Sequence, residues 1–370
     1  MKTKVILLAV LSSLFICGCI TEFETTGIDE VAGILVVEGL ITDEESTIVL
    51  SQSVGLNDDN RALLVTDAKV YVECDDGTQW STARQNFGEY IIETGKLNPE
   101  RQYRLKIELE ENEYCSEFAY PMITPEIDSV FWTKKGKGQP VNIHVATQSP
   151  DGMAQYYRWS YKEDWETRAL VAREDTVSPY YCSKTSKSKE LLFGTNQSAD
   201  FGKLIHILAE IPPHDDRFML LYRIDVMQNA ISKRAFDYYT SIKRNSHQTG
   251  GIMAHVPSEL KGNITCYTDL NQPVIGYVDV STSVTRERLY IHYIWVYEDF
   301  TYLDCITFTS WEMSRIFNTW DYIHLKDGLY VLKKCVNCAL NGGKSIYELD
   351  EWPNQYLKEG WYIRYFENLK

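Results

Sequence analysis

From Ile34 onward, the pattern of apolar and polar positions is strand-like, with several segments alternating at a period of two. Ile34-Leu35-Val36-Val37-Glu38-Gly39-Leu40-Ile41 is apolar and rich in β-branched residues, and it breaks at Thr42-Asp43-Glu44-Glu45. Thr47 to Ser51 predicts a second strand. Asp67 to Glu73 alternates, and Asp76-Gly77 supplies a hairpin turn. Gly88 to Ile92 and Gln102 to Leu109 follow. In the latter, Tyr103, Leu105, Ile107 and Leu109 share one face, with Arg104, Lys106 and Glu108 on the other. Glu110 to Glu113 turns the chain and Tyr114 to Tyr120 returns it. Short strands at regular spacing, with turn signals between them, predict a β-sandwich. Pro121 and Pro125 discourage regular structure and mark a boundary near 121–127.

Strand patterns resume beyond that boundary. Val141 to Val145 alternates, and Tyr157, Trp159, Tyr161 and Glu163 share a strand face. Leu204 to Ile211, Phe218 to Met227, Val274 to Val280 and Arg288 to Tyr297 predict further strands. One segment changes period: Ser232 can cap a helix near 232–245 in which Ala235, Phe236, Tyr239 and Ile242 recur at helical spacing. Residues 298–370 are less periodic and carry Cys305, Cys335, Cys338 and Gly342-Gly343. The expected fold is mainly β: two β-sandwich domains, Ig-like or transthyretin-like, over 33–122 and 123–370. The second carries the helical insertion and an irregular, cysteine-containing C-terminal segment.

The N-terminus changes the picture of where such a protein resides. Lys2 and Lys4 precede Val5 to Ile16, an apolar run too short for a flanked membrane span. Ile16-Cys17-Gly18-Cys19 then resembles the bacterial lipobox, which makes Cys19 the lipidation candidate. Phe15 and Ile16 are too large for Cys17 to take that role. Residues 1–18 read as a lipoprotein signal peptide and 19–32 as a lipidated tether, acidic at Glu22, Glu24, Asp29 and Glu30. Acyl chains supply the hydrophobic anchoring. The formal net charge is −15, and the leader carries lysines but no acids. A body of this charge repels nucleic acid and anionic headgroups, so no nucleic-acid partner is expected and attachment rests on the lipid. Acidic residues soon after the anchor resemble the export signals of surface lipoproteins, so outer-membrane residence is expected, with the choice between periplasmic and surface leaflet left open.

Of nine cysteines, Cys17 leaves with the leader and Cys19 is acylated. The rest favour disulfides in an envelope compartment. Cys74 and Cys115 are each other's only local partners in the first domain. In the second, Cys305 with Cys335 or Cys338 is the favoured tie. Cys335-x-x-Cys338 has metal-like spacing, but no second such pair accompanies it and His324 is the nearest histidine, so no metal is expected. Tyr157, Trp159, Tyr161 and Trp165 are candidate ligand-contact aromatics that could stack sugars. Their alternation favours the plainer reading of a core-facing strand. Gly-x-Ser-x-Gly, His-Glu-x-x-His and phosphate-binding glycine motifs do not occur in the sequence. Neither a cofactor nor enzymatic activity is expected.

Several stretches together resemble the Bacteroidota lipoprotein family filed as domain of unknown function 4249. They are Leu35 to Asp43, Cys182 with Leu191-Leu192-Phe193-Gly194-Thr195, and Ala235-Phe236-Asp237-Tyr238-Tyr239 with Gln248-Thr249-Gly250. Gly262-Asn263-Ile264-Thr265-Cys266, Pro273 to Tyr277, and Cys335-Val336-Asn337-Cys338 through Gly342-Gly343 complete the series. Tyr181-Cys182-Ser183 stands where the family often has two adjacent cysteines and a tryptophan, which implies a missing disulfide partner. The resemblance implies two β-sandwich-like domains and genes neighbouring TonB-dependent outer-membrane transporters. The expected function is thus a non-enzymatic accessory or ligand-capture lipoprotein working with such a transporter. The alternatives are an envelope enzyme acting on glycan or peptide, and a surface adhesin or structural protein.

Overall fold

The computed structural model describes residues 33–54, 63–149, 152–169, 181–197, 202–248, 262–282, 285–292, 296, 307–315, 322–325, 329–342 and 344–345. The first strands are β1 (Leu35–Ile41), β2 (Glu44–Gln52), β3 (Leu63–Leu64), β4 (Lys69–Cys74), β5 (Gln79–Asn86), β6 (Glu89–Gly95), β7 (Tyr103–Leu109) and β8 (Asn112–Ser116). There follow β9 (Ile127–Lys134), β10 (Val141–Gln148), β11 (Tyr156–Arg168), β12 (Tyr181–Lys187), β13 (Leu192–Thr195), β14 (Lys203–Ile211) and β15 (Leu221–Ala230). Helix α1 (Lys233–Gln248) precedes β16 (Ile264–Cys266), β17 (Val274–Val280) and β18 (Thr285–His292). The C-terminal part holds α2 (Ser310–Met313), β19 (Tyr322–His324), β20 (Tyr330–Leu332), α3 (Lys333–Val336) and β21 (Lys344–Ser345). The protein is mainly β, as its period-two pattern predicts.

The N-terminal unit is one sheet folded on itself, in the order β16-β8-β7-β4-β5-β6-β2-β1-β17, with β3 on β2. Strand β5 belongs to both halves, pairing β4 at one end and β6 at the other, and its register shifts between Thr82 and Arg84. Such a bulge bends a strand and raises its twist. The fold brings Val70, Val72, Leu105 and Ile107 of one half against Val37, Ile48, Tyr90 and Ile92 of the other in a single core. Strands β16 and β17 come from beyond residue 260 yet complete this sheet: β17 runs parallel to β1 and β16 antiparallel to β8.

The two ends of the sheet meet at Asn263. Its Nδ2 donates to Val278 O at 2.7 Å and its Oδ1 accepts from Val278 N at 2.9 Å. The amide thereby stands in for a strand partner. Gly262, beside it, lets the backbones touch: a Cβ there would overlap the carbonyl oxygen of Gly276. Gly262→Ala is therefore expected to cost about 1–3 kcal/mol through forced backbone displacement. Urea unfolding measures this, and an unchanged midpoint would show that the sheet ends part without strain.

The second unit packs the sheet β14-β10-β9 over the sheet β18-β15-β11-β12-β21, with β13 also on β11. Val141, Ile143, Val145 and Leu208 of the first sheet meet Tyr157, Trp159, Tyr222, Ile224 and Val226 of the second. Helix α1 joins the two units. Ser232 caps it, Oγ accepting from Ala235 N at 3.1 Å, as the sequence predicts. Ala235, Tyr238 and Tyr239 are buried in a cluster with Leu40 and Tyr277 of the folded sheet and Tyr156 and Ile231 of the sandwich. Ser232 N also donates to Asp279 Oδ2 at 2.6 Å, and Ser281 Oγ donates to Ala230 O at 2.7 Å. The segment expected as a linker is tied down too: Met122 N donates to Val280 O at 2.8 Å and Met122 O accepts from Thr282 N at 2.8 Å. Among the described residues, no helix is long and apolar enough to cross a membrane.

Candidate functional site

The four candidate aromatics do not form an exposed platform. Tyr157 and Trp159 are wholly buried in the second core. The Tyr157 hydroxyl donates to Ala154 O at 2.9 Å, and Trp159 Nε1 donates to Gln228 Oε1 at 2.8 Å. Tyr161 and Trp165 are half-buried against the same core, and Trp165 Nε1 donates to Asp216 Oδ1 at 3.1 Å. Strand alternation turns all four towards the second core, which is the plainer, packing reading; Tyr161 also lines the cleft described below.

The same alternation places acids in two buried networks. Glu163, inward on β11, accepts from the Tyr222 hydroxyl at 2.9 Å and lies 3.3 Å from Arg217. Burial, then the adjacent Glu163 carboxylate, pushes the Tyr222 hydroxyl far above its ordinary range. Burial works against the Arg217 charge, but the Asp215 and Glu163 carboxylates overcome it. On the opposite face of β11, Asp164 pairs with Arg223 and accepts from the Thr185 hydroxyl at 2.5 Å. Breaking one partner of such a pair leaves a buried charge uncompensated, so these networks hold β11, β12, β15 and the Asp215–Arg217 turn in register.

What remains is a cleft of about 810 Å3 between the outer face of β1 and β2 and the outer face of β11, β15 and β18. Its sandwich-side wall carries Arg158, Ser160 and Lys162 from β11 and Met227 and Asn229 from β15. Its sheet-side wall carries Glu38, Leu40, Thr47, Val49 and Glu89, with the turn residue Asp43. Arg158 stands directly opposite Asn229 across the strand pair. Arg158 Nη1 donates to the Tyr239 hydroxyl at 3.4 Å, and its guanidinium lies 5.6 Å from that ring. Asn229 is 8% exposed, and its Nδ2 has no hydrogen-bond partner among the described residues. On the other wall, Glu38, Val49 and Glu89 form one row across β1, β2 and β6. Glu45, beside them, is paired with Arg84. Burial lifts the Asp43 carboxyl above the ordinary carboxylate range, although it accepts from Leu97 N at 2.9 Å.

Residues 20–287 match the family model described as Domain of unknown function (DUF4249). The chain belongs to this family. The matched span includes the folded sheet, α1 and the cleft lining up to Glu287, leaving Arg288 just beyond it. Cys335 and Cys338 lie beyond that region. Among curated proteins, none matches the chain.

The cysteines depart from the expected pairing. Cys74 and Cys115 are both free and buried. Cys74 faces Tyr103 on β7 and joins the core, whereas Cys115 faces Lys106 on the opposite face, two strands away. A disulfide needs Cα atoms within about 7 Å and converging Cβ vectors, so this pair is excluded. Burial pushes the Cys115 thiol up to about 11. Cys338 bonds to Cys182, with Cα atoms 5.8 Å apart, which corrects the expected alternative of Cys305 with Cys338. Cys335 is also disulfide-bonded. Cys19 and Cys305 lie outside the described residues. With both cysteines of Cys335-x-x-Cys338 in disulfides, that spacing is not a zinc site. No group of three or more metal-ligating side chains occurs among the described residues.

Sequence reasoning singled out the inward half of β11 and passed over the outward half. The signal was available for Arg158: if Tyr157 and Trp159 face a core, Arg158 faces away from it. Asn229 gave no such signal, because its place opposite Arg158 depends on the register between two distant strands.

Proposed function

We propose that this protein is an outer-membrane lipoprotein that captures a small ligand in its inter-unit cleft and works, without catalysis, alongside a TonB-dependent transporter. The observation that carries the capture role is the open cleft with charged side chains on both walls. Pockets of this size between structural units commonly hold small ligands. The lipobox-like Ile16-Cys17-Gly18-Cys19 supports the anchor, and Glu22 and Glu24 after it support outer-membrane residence. The transporter partnership is supported by the gene neighbourhood that the family resemblance implies. The two buried acid networks fit this reading, since their carboxylates are engaged in ion pairs that hold the fold.

Two measurements test it. Cys19→Ala is expected to move the protein from membranes to the soluble envelope fraction; a variant that stays membrane-bound with an intact N-terminus would refute the anchor. Affinity purification of the native lipoprotein in mild detergent is expected to recover a large β-barrel protein. Recovery of the lipoprotein alone would count against the partnership.

A further inference from the structure

We propose that the cleft binds a short peptide with free termini, its carboxylate held by Arg158 and Asn229 and its ammonium group directed to Glu38 and Glu89. This names the ligand class for the capture role above.

The first argument is the unpaired amide. Directly opposed residues on neighbouring antiparallel strands project side by side from the same face. Arg158 and Asn229 are such a pair. Asn229 is 8% exposed, lines the cleft, and its Nδ2 lacks a partner among the described residues. A buried donor left unsatisfied is destabilising, and native proteins rarely keep one without a use. The neighbouring guanidinium offers five donors. Its polar contact is a single long hydrogen bond to the Tyr239 hydroxyl, 3.4 Å, made by Nη1. A planar guanidinium beside a side-chain amide suits the two oxygens of a carboxylate.

The second argument is the facing wall. Glu38 and Glu89 flank Val49 in one row across three strands. A purely anionic ligand would gain from Arg158 and be repelled by these carboxylates. A ligand with charges of both signs, separated along its length, satisfies both walls. The third argument concerns sugars. Sugar sites present exposed ring faces for stacking, and the aromatic residue in this lining, Tyr161, packs against the second core. Leu40 and Val49 on one wall and Met227 on the other add apolar lining that suits peptide side chains.

The test is calorimetric titration of the detergent-solubilised full chain with tri-alanine, followed by native mass spectrometry with a pool of tripeptides carrying free termini. Binding is expected, and amidating the carboxylate or acetylating the ammonium group should each weaken it about tenfold or more. Arg158→Gln should produce the same loss as amidation, and the variant should be indifferent to which form is used. The ligand-side changes need no variant, so they stand even if Arg158→Gln misfolds. No binding by tri-alanine or the pool would overturn the proposal. So would equal affinity for the amidated peptide, or equal affinity for digalacturonate, which has carboxylates and no ammonium group. The titration involves no membrane or transporter. A negative result removes the peptide assignment alone, and a failed transporter purification leaves peptide binding intact.

Discussion

Replacing Cys182 and Cys338 together by alanine is expected to lower stability by about 3–5 kcal/mol. The bond joins residues 156 apart in sequence. In the chain-entropy picture, a cross-link over so long a loop removes a large share of the unfolded chain's freedom. Among the described residues, the native contacts that would replace it are few. Strand β21 meets β12 over a two-residue register, Cys182 with Ser345 and Ser183 with Lys344. The buried cluster of this C-terminal part comprises Val331, Cys335 and Val336. Urea unfolding without reductant measures the loss, and a midpoint equal to that of the native chain would show that the bond adds nothing. The same denatured sample checks the first unit. Cys74, Cys115 and Cys266 should alkylate without reductant, because all three are free.

The strands were legible where one face is buried and the other wet. Tyr103 to Leu109 reads as alternating buried and half-buried residues in the structure, as it does in sequence. Helix α1 was legible for a different reason: a capping serine precedes apolar residues at helical spacing, and both signals are local. Long-range pairing was not legible. Val274 to Val280 is buried on both faces at its C-terminal end, which marks a covered strand but not its neighbour. Its place beside β1, far earlier in the chain, follows from the fit of Val278 and Val280 into the first core and Tyr277 into the helix cluster. Pro121 and Pro125 signalled a break in regular structure. They could not signal that Met122 would be bonded to Val280 and Thr282.

The cysteines show why spacing alone misleads. Cys74 and Cys115 are near in sequence and share a sheet, yet strand parity sets them on opposite faces. That parity follows from the β7–β8 register, which pairs Ile107 with Tyr114 and so leaves Cys115 beside Lys106. Cys182 and Cys338 are far apart in sequence, and what unites them is the return of the C-terminal part to the edge of β12. The cleft is a similar case. Each wall is ordinary outward-facing strand surface. The two surfaces face each other because α1, the Met122 bonds and the Ser281–Ala230 bond hold the units together.

Glu166→Gln is expected to make the protein more stable at alkaline pH and to flatten its response between pH 4.5 and 7. Glu166 lies on the outer face of β11, 4% exposed, two residues beyond the ion-paired Asp164. Burial alone lifts its carboxyl from 4.5 to about 7. The folded protein therefore holds this proton more tightly than the unfolded chain does. Below about pH 4.5 both states are protonated and the group carries no penalty. As the pH rises towards 7, the unfolded chain ionises while the folded chain does not, so stability falls. Above 7 both are ionised, and the folded state bears the full cost of a buried charge, about 3 kcal/mol from the size of the shift. Glutamine keeps the shape and cannot ionise, so the variant should match the native chain near pH 4.5 and exceed it at pH 8. Subtracting the two unfolding free energies at each pH removes the contribution of every other titrating group. A difference that stays constant from pH 4.5 to 8 would show that Glu166 is solvated like a surface carboxylate, and that the strand face around it opens to water.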